Sequence, residues 1–140
     1  MSCVLRVSGK ALDVDALLSS VPLQADRFWR RGEPRGKIAK GPHADSGANF
    51  LASGADLDAP SKQVTEATAF LESNLLSIGR LTNFPGVEHA TLDFGVALNA
   101  GSVAVCSYLP PVLVRLAAQV NIGIEVSTYV CSDEPTGVEG

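Results

Sequence analysis

Positions 90–98 read Ala-Thr-Leu-Asp-Phe-Gly-Val-Ala-Leu, "ATLDFGVAL", an unbroken alternation. A strand turns successive side chains to opposite faces. Leu92, Phe94, Val96 and Leu98 are therefore expected to face inward, with Thr91, Asp93, Gly95 and Ala97 outward. What covers the inward face is suggested by the segment just before it. Over 61–84, Val64, Ala67, Leu71, Leu75, Ile78 and Leu81 recur at intervals of three and four, which predicts one helix with one apolar stripe. Asp58 or Ser61 is a candidate cap for its start, and "NFPG" at 83–86 should stop it. After the strand, "NAGS" at 99–102 predicts a turn into "VAVCSYL" at 103–109, a hairpin partner.

Working outward, "PPVLVRLAAQVN" at 110–121 opens with prolines suited to a first helical turn and buries Leu113, Leu116, Ala117 and Val120. "IGIEVSTYVC" at 122–131 reads as the last strand, and 133–140 as an acidic, frayed tail beyond a single domain spanning 1–132. At the other end, "CVLRVSG" at 3–9 alternates, with Cys3, Leu5 and Val7 opposite Val4, Arg6 and Ser8. Asp13 is a good N-cap for a short helix running to about Pro22. "DRFWRRG" at 26–32 favours a strand, because aromatic residues suit a pleated surface. The Gly- and Pro-rich run at 32–47 must be loop, and "ANFLAS" at 48–53 is a further short strand. The predicted order is β-α-β-β-α-β-β-α-β. Three helices among hairpin-joined strands predict an α+β fold, with helices on one face of a mostly antiparallel sheet.

The chain has 140 residues, 46% hydrophobic and 19% charged, which suits one globular domain. No apolar run approaches the roughly 20 residues that cross a bilayer, and the first ten residues lack the pattern of a signal peptide. Cys3, Cys106 and Cys131 are odd in number and far apart, which suggests reduced thiols and a cytoplasmic setting. His43 and His89 stand at no metal-ligand spacing from a cysteine, so no metal and no cofactor is expected. There is no GxSxG elbow and no P-loop, and Cys106 in an apolar strand would be inert, so no catalytic residue is assigned. His43, in its Gly- and Pro-rich loop, reads as a solvated side chain.

Net charge is −4, but residues 27–40 carry +5 and the remainder −9. Within that cationic arm, Arg27, Trp29, Arg30, Arg31 and Arg35 form the candidate interaction surface, because Trp and Arg are enriched at binding hot spots. Alternation sets Phe28 and Arg30 on one face and Arg27, Trp29 and Arg31 on the other. A plain solvated strand, with arginine stems lying over the tryptophan, explains the same residues. The acidic body disfavours nucleic acid and leaves a protein, an acidic one by charge, as the expected partner. A second candidate is polar: Arg6, Asp93 and Glu125 occupy outward slots of three predicted strands and meet if those strands are neighbours. The bland reading is a surface ion-pair lattice of little energetic value; the sharper one is a cleft in which the carboxylates recognise a cationic group.

The segment "LRVSGKALDVDALLSSVPLQADRFWRRGEPRG", through its "VSG", "LDVDALL" and "RRGEPRG", resembles the N-terminal part of a bacterial family, domain of unknown function 4279. The C-terminal "VNIGIEVSTYV" is also similar, so the likeness covers most of the chain. The chain departs from that family at Asn49 and Phe50, where a tryptophan is usual, and at Ser127 and Thr128, where an aspartate is frequent. The resemblance implies this fold and size, and, by analogy with small bacterial families of its kind, an immunity-type protein that blocks a toxin. The expected function is accordingly a non-enzymatic protein-binding module. The alternative is a small-molecule or phosphate-binding protein that uses the basic 27–40 segment.

Overall fold

The computed structural model describes residues 3–36, 41–99 and 107–131. Five strands form one sheet. They are β1 (Cys3–Gly9), β2 (Arg27–Trp29), β3 (Ser46–Ser53), β4 (His89–Asn99) and β5 (Gly123–Cys131). Their spatial order is β2-β3-β1-β4-β5, antiparallel at every step except the parallel pair β4–β5. The helices are α1 (Val14–Ser19), α2 (Pro60–Ser73), α3 (Leu75–Thr82) and α4 (Pro111–Gln119). All four bury side chains against one sheet face, so the α+β layout with one covered face holds.

The alternation in the strands explains the core. Cys3, Leu5 and Val7 of β1, Ala48 and Phe50 of β3, and Leu92 and Phe94 of β4 point toward the helices. Leu17, Leu71, Ile78, Leu81 and Leu113 reach down to meet them and are fully buried. Burial of a leucine side chain is worth about 1.5–3 kcal/mol, so this single layer carries the fold.

The predicted 61–84 helix is two helices. Asn74 sits at the break with φ −124° and ψ 23°, outside the helical region. Its side-chain Nδ2 donates to the Phe70 carbonyl at 2.9 Å, in competition with the helical backbone. The apolar stripe survives because α3 resumes at once, with Ile78 and Leu81 still inward. Neither Asp58 nor Ser61 caps α2; Ala59 is its N-cap residue and Pro60 takes the first position. The Asp13 cap is present, with Oδ1 accepting from the Ala16 N–H at 3.1 Å.

The strand expected over 26–32 stops at Trp29. Among the described residues it pairs only with β3, and the chain turns at Gly32, where φ is +89°. The expected hairpin partner of β4 falls mostly on 100–106, outside the described residues, and 107–110 is not strand. One edge of β4 is taken by β5, which reaches it through α4 and so runs parallel. On the other edge β4 pairs with β1 over His89–Phe94, and Ala97 donates its N–H to the Leu57 carbonyl at 3.0 Å. The observed order is therefore β-α-β-β-α-α-β-α-β. The proposed tail, 133–140, also lies outside the described residues.

Candidate functional site on the bare face of the sheet

The helices leave the other sheet face uncovered, and the register sets its side chains in rows. One row reads Arg27, Asn49, Arg6 and Thr91 across β2, β3, β1 and β4. The next brings Leu51, Val4, Asp93 and Glu125 together across β3, β1, β4 and β5. On the far side of the first row stand Trp29, Gly47 and Ser8.

Two cavities share this floor. One, of about 260 Å³, is lined by Val4, Arg6, Asn49, Leu57, Asp93 and Tyr129 among others. The second, of about 420 Å³, is lined by Arg6, Arg27, Trp29, Arg35, His43 and Asn49 among others. Arg6 and Asn49 belong to both, so the two are halves of one groove. Together they fall within the usual size of a small-molecule site.

The walls are held from below. Gln63, fully buried on α2, donates through Nε2 to the carbonyls of Asp56 at 2.9 Å and Gly95 at 2.7 Å. That ties the 54–58 loop, and with it Leu57, to the end of β4. The Ser53 hydroxyl donates to Glu66 Oε1 at 2.7 Å and accepts from the Ala55 N–H, which fixes the start of the same loop. At the basic end, His43 exchanges backbone hydrogen bonds with Gly32 and Glu33 and so brings the 41–45 segment back over Trp29.

The tryptophan is anchored rather than free. Its Nε1–H donates to Asp45 Oδ1 at 3.1 Å, and the His43 ring stacks on it at 5.8 Å between centroids. A Cβ on Gly47 would come within 2.5 Å of its Cζ2, so the indole rests on bare backbone. Arg27 places its guanidinium carbon 6.0 Å from the indole centroid. His43 is thus a half-buried wall of the groove, where the sequence suggested a solvated loop residue.

The five residues of the candidate interaction surface divide. Arg27, Trp29 and Arg35 line the groove. Arg30 turns away and grips Asp15 of α1 with two hydrogen bonds of 2.8 and 2.9 Å, with Glu33 at 3.5 Å. That bond holds the exposed Asp15 carboxyl below its usual pKa and raises the arginine further. Arg31 donates its backbone N–H to the Ser46 hydroxyl and its side chain to the Lys10 carbonyl. These two arginines are fasteners between the arm and the rest of the domain. Arg30 also stacks over Phe28, 5.2 Å from the ring centroid, on the face that alternation assigned to both.

The polar trio does share one face. Arg6 and Asp93 form an ion pair at 3.3 Å, and Glu125 is the register partner of Asp93. Ser127 links the carboxylates, donating to Asp93 Oδ1 at 2.7 Å, with Glu125 Oε2 at 3.5 Å. Asp93, whose side chain is 12% exposed, is thereby satisfied on both oxygens within a part-buried pair.

Asn49 was not singled out by sequence reasoning as a site residue, although it occupies the outward slot between Ala48 and Phe50. It is 8% exposed, and among the described residues no donor reaches its Oδ1, which is shut off from solvent. An unsatisfied buried acceptor costs about 1–3 kcal/mol, so its place in the groove floor between two arginines is unusual.

The Cys3 thiol is buried on the helix side, and burial, then the nearby Asp93 charge, pushes its pKa up to about 12. Cys106 lies outside the described residues. Among the described residues no group of three or more His, Cys, Asp and Glu side chains is placed to hold a metal ion. Nor is any helix there long and apolar enough to cross a membrane. Compared with protein-family models, curated proteins and solved structures, the chain matches none, so any reading of function rests on the groove itself.

Proposed function

We propose that this chain is a ligand-binding domain that acts by recognition rather than catalysis, and that the bare-face groove takes a small anion. The observation that carries this reading is the cross-strand row Arg27–Asn49–Arg6, set in a walled groove with Arg35 and Trp29 alongside. Guanidinium groups suit carboxylate and phosphate, and a groove limits the loss of their hydration to the bound ion. Isotope-edited NMR titrations with acetate and inorganic phosphate test it. Shifts should cluster on Arg27, Asn49, Arg6 and the Trp29 indole N–H, and Arg27→Gln should weaken binding at least fivefold while the fold is kept. Shifts scattered over all arginines, Arg30 and Arg31 included, would instead mark nonspecific ion association.

A second reading, a protein-binding module of the immunity kind, has one feature in its favour. On β5, Val126 is 42% exposed and Val130 80% exposed, beyond the reach of α4. Exposed apolar residues on an edge strand suit contact with another chain. Charge reversal at Arg27 with the β5 valines intact separates the readings. Loss of anion binding with retained partner binding assigns the partner to β5.

A further inference from the structure

We infer that the ligand of this groove carries a neutral hydrogen-bond donor one atom away from its anionic head, the arrangement of a 2-hydroxycarboxylate or of an acylated amino acid. This rests on the anion-binding reading above and specifies its chemistry.

The argument starts at Asn49. Its Oδ1 accepts from no group among the described residues and is an acceptor only, so what completes it must donate. Arg27 is its register partner on β2, and Arg6 its partner on β1. Adjacent strands lie roughly 4.8 Å apart, so the backbones that carry Arg27 and Asn49 are one strand spacing apart, and an anion held by Arg27 lies in the same half of the groove as the orphaned oxygen. A donor on the carbon next to a carboxylate covers that interval with a hydrogen bond at each end. A longer ligand would place its donor beyond Asn49, over Arg6.

Charge decides which kind of donor. Asn49 has an arginine as register partner on each neighbouring strand, and Arg35 lines the same half of the groove. The two carboxylates that line the groove are engaged, Asp93 by Arg6 and Ser127 and Asp45 by the Trp29 indole N–H. An ammonium at Asn49 would face the like charge of Arg6, Arg27 and Arg35, while the carboxylates lining the groove already accept hydrogen bonds. A hydroxyl or amide N–H supplies the hydrogen bond without that repulsion. The shielded oxygen is reached by a shift of Arg6 or Arg27. Both are long, flexible side chains, and that of Arg6 is 37% exposed.

Four probes of similar size test this on the full chain by calorimetry or NMR: glycolate, N-acetylglycine, propionate and glycine. Glycolate and N-acetylglycine should bind about tenfold tighter than propionate, the value of one net hydrogen bond, and glycine more weakly than either. Asn49→Leu should erase the preference for glycolate over propionate. If that variant fails to fold, Asn49→Ser, which restores a small polar group that can accept, should keep part of the preference. Equal binding of glycolate and propionate to the wild-type protein overturns the inference and leaves the anion site standing. Preference for glycine overturns the charge argument and with it the inference. Failure of every acid to bind removes both this inference and the reading on which it rests.

Discussion

Arg6 and Val7 are neighbours on β1 and meet opposite worlds. Val7 joins a layer in which Leu5, Phe50, Leu92 and four helices exclude water, whereas Arg6 stands in a polar row that no helix covers. The strands are the same and only the parity of the residue differs. On the covered side the physics is additive and forgiving, because any apolar side chain of the right size fills space. On the bare side each residue depends on a particular neighbour: Trp29 on Gly47 and Asp45, and Asp93 on Arg6 and Ser127, while the Asn49 Oδ1 has no partner among the described residues. On the reading proposed above, stability and recognition fall to opposite faces of one sheet.

This division breaks first at α2. Leu71 is fully buried, so Leu71→Ala should lower stability by about 2–5 kcal/mol, measured by urea denaturation. Leu75, only partly buried beside the break at Asn74, should lose less. Equal and negligible losses at both would show that the covered face is not the core.

The next largest effect lies on the bare face itself. Gly47→Ala would press a methyl group to 2.5 Å from Trp29 and 2.7 Å from the Val7 carbonyl. We expect a loss of about 1–3 kcal/mol, together with a red shift of tryptophan fluorescence as the indole lifts. A loss of stability without a spectral change would detach Trp29 from the groove wall.

Cys3 sharpens the comparison through pH. Its thiol pKa rises from 9.0 to about 12 in the folded protein. The folded state therefore binds the proton more tightly than the unfolded one. The associated stability is present below pH 9 and is lost as pH climbs from about 9 toward 12. Cys3→Ala should flatten the alkaline part of the stability curve, and native Cys3 should resist thiol reagents near pH 8.

The smallest effect is expected at Asp15. Its pKa is lowered by the Arg30 hydrogen bond, so the contribution exists above its unfolded pKa and fades as pH falls through the folded one. Asp15→Asn should leave the melting temperature at neutral pH nearly unchanged and shift only the acid limb, because the pair is exposed to solvent.

Much of the covered face was legible in the residues. Period-two alternation in 3–9 and 90–98 and the three–four spacing of Val64 to Leu81 name most of the core. The break at Asn74 was not legible, since one side chain reaching back to Phe70 leaves the apolar spacing intact. The bare face was legible only as a set of outward slots. Alternation placed Arg6, Asp93 and Glu125 on it, but strand order decided that they meet. Arg30 and Arg31 looked equivalent to Arg27 in sequence. Their separation depends on Asp15, Lys10 and Ser46, partners that a one-dimensional pattern does not reveal.

The position of β1 between β3 and β4 also sets an order of assembly. β4 and β5 can join across the short path through α4, and β3 can find β2 and β1 within the first part of the chain. The seam between β1 and β4 is expected to close last, because about 85 residues separate Arg6 from Thr91 and long loops close slowly. The groove straddles that seam: Arg27 and Asn49 stand on one side, and Asp93 and Tyr129 on the other. No intermediate with an open seam has the binding surface. A ligand spanning the groove would therefore bind only after the final closure, hold it shut by mass action and slow unfolding from that line.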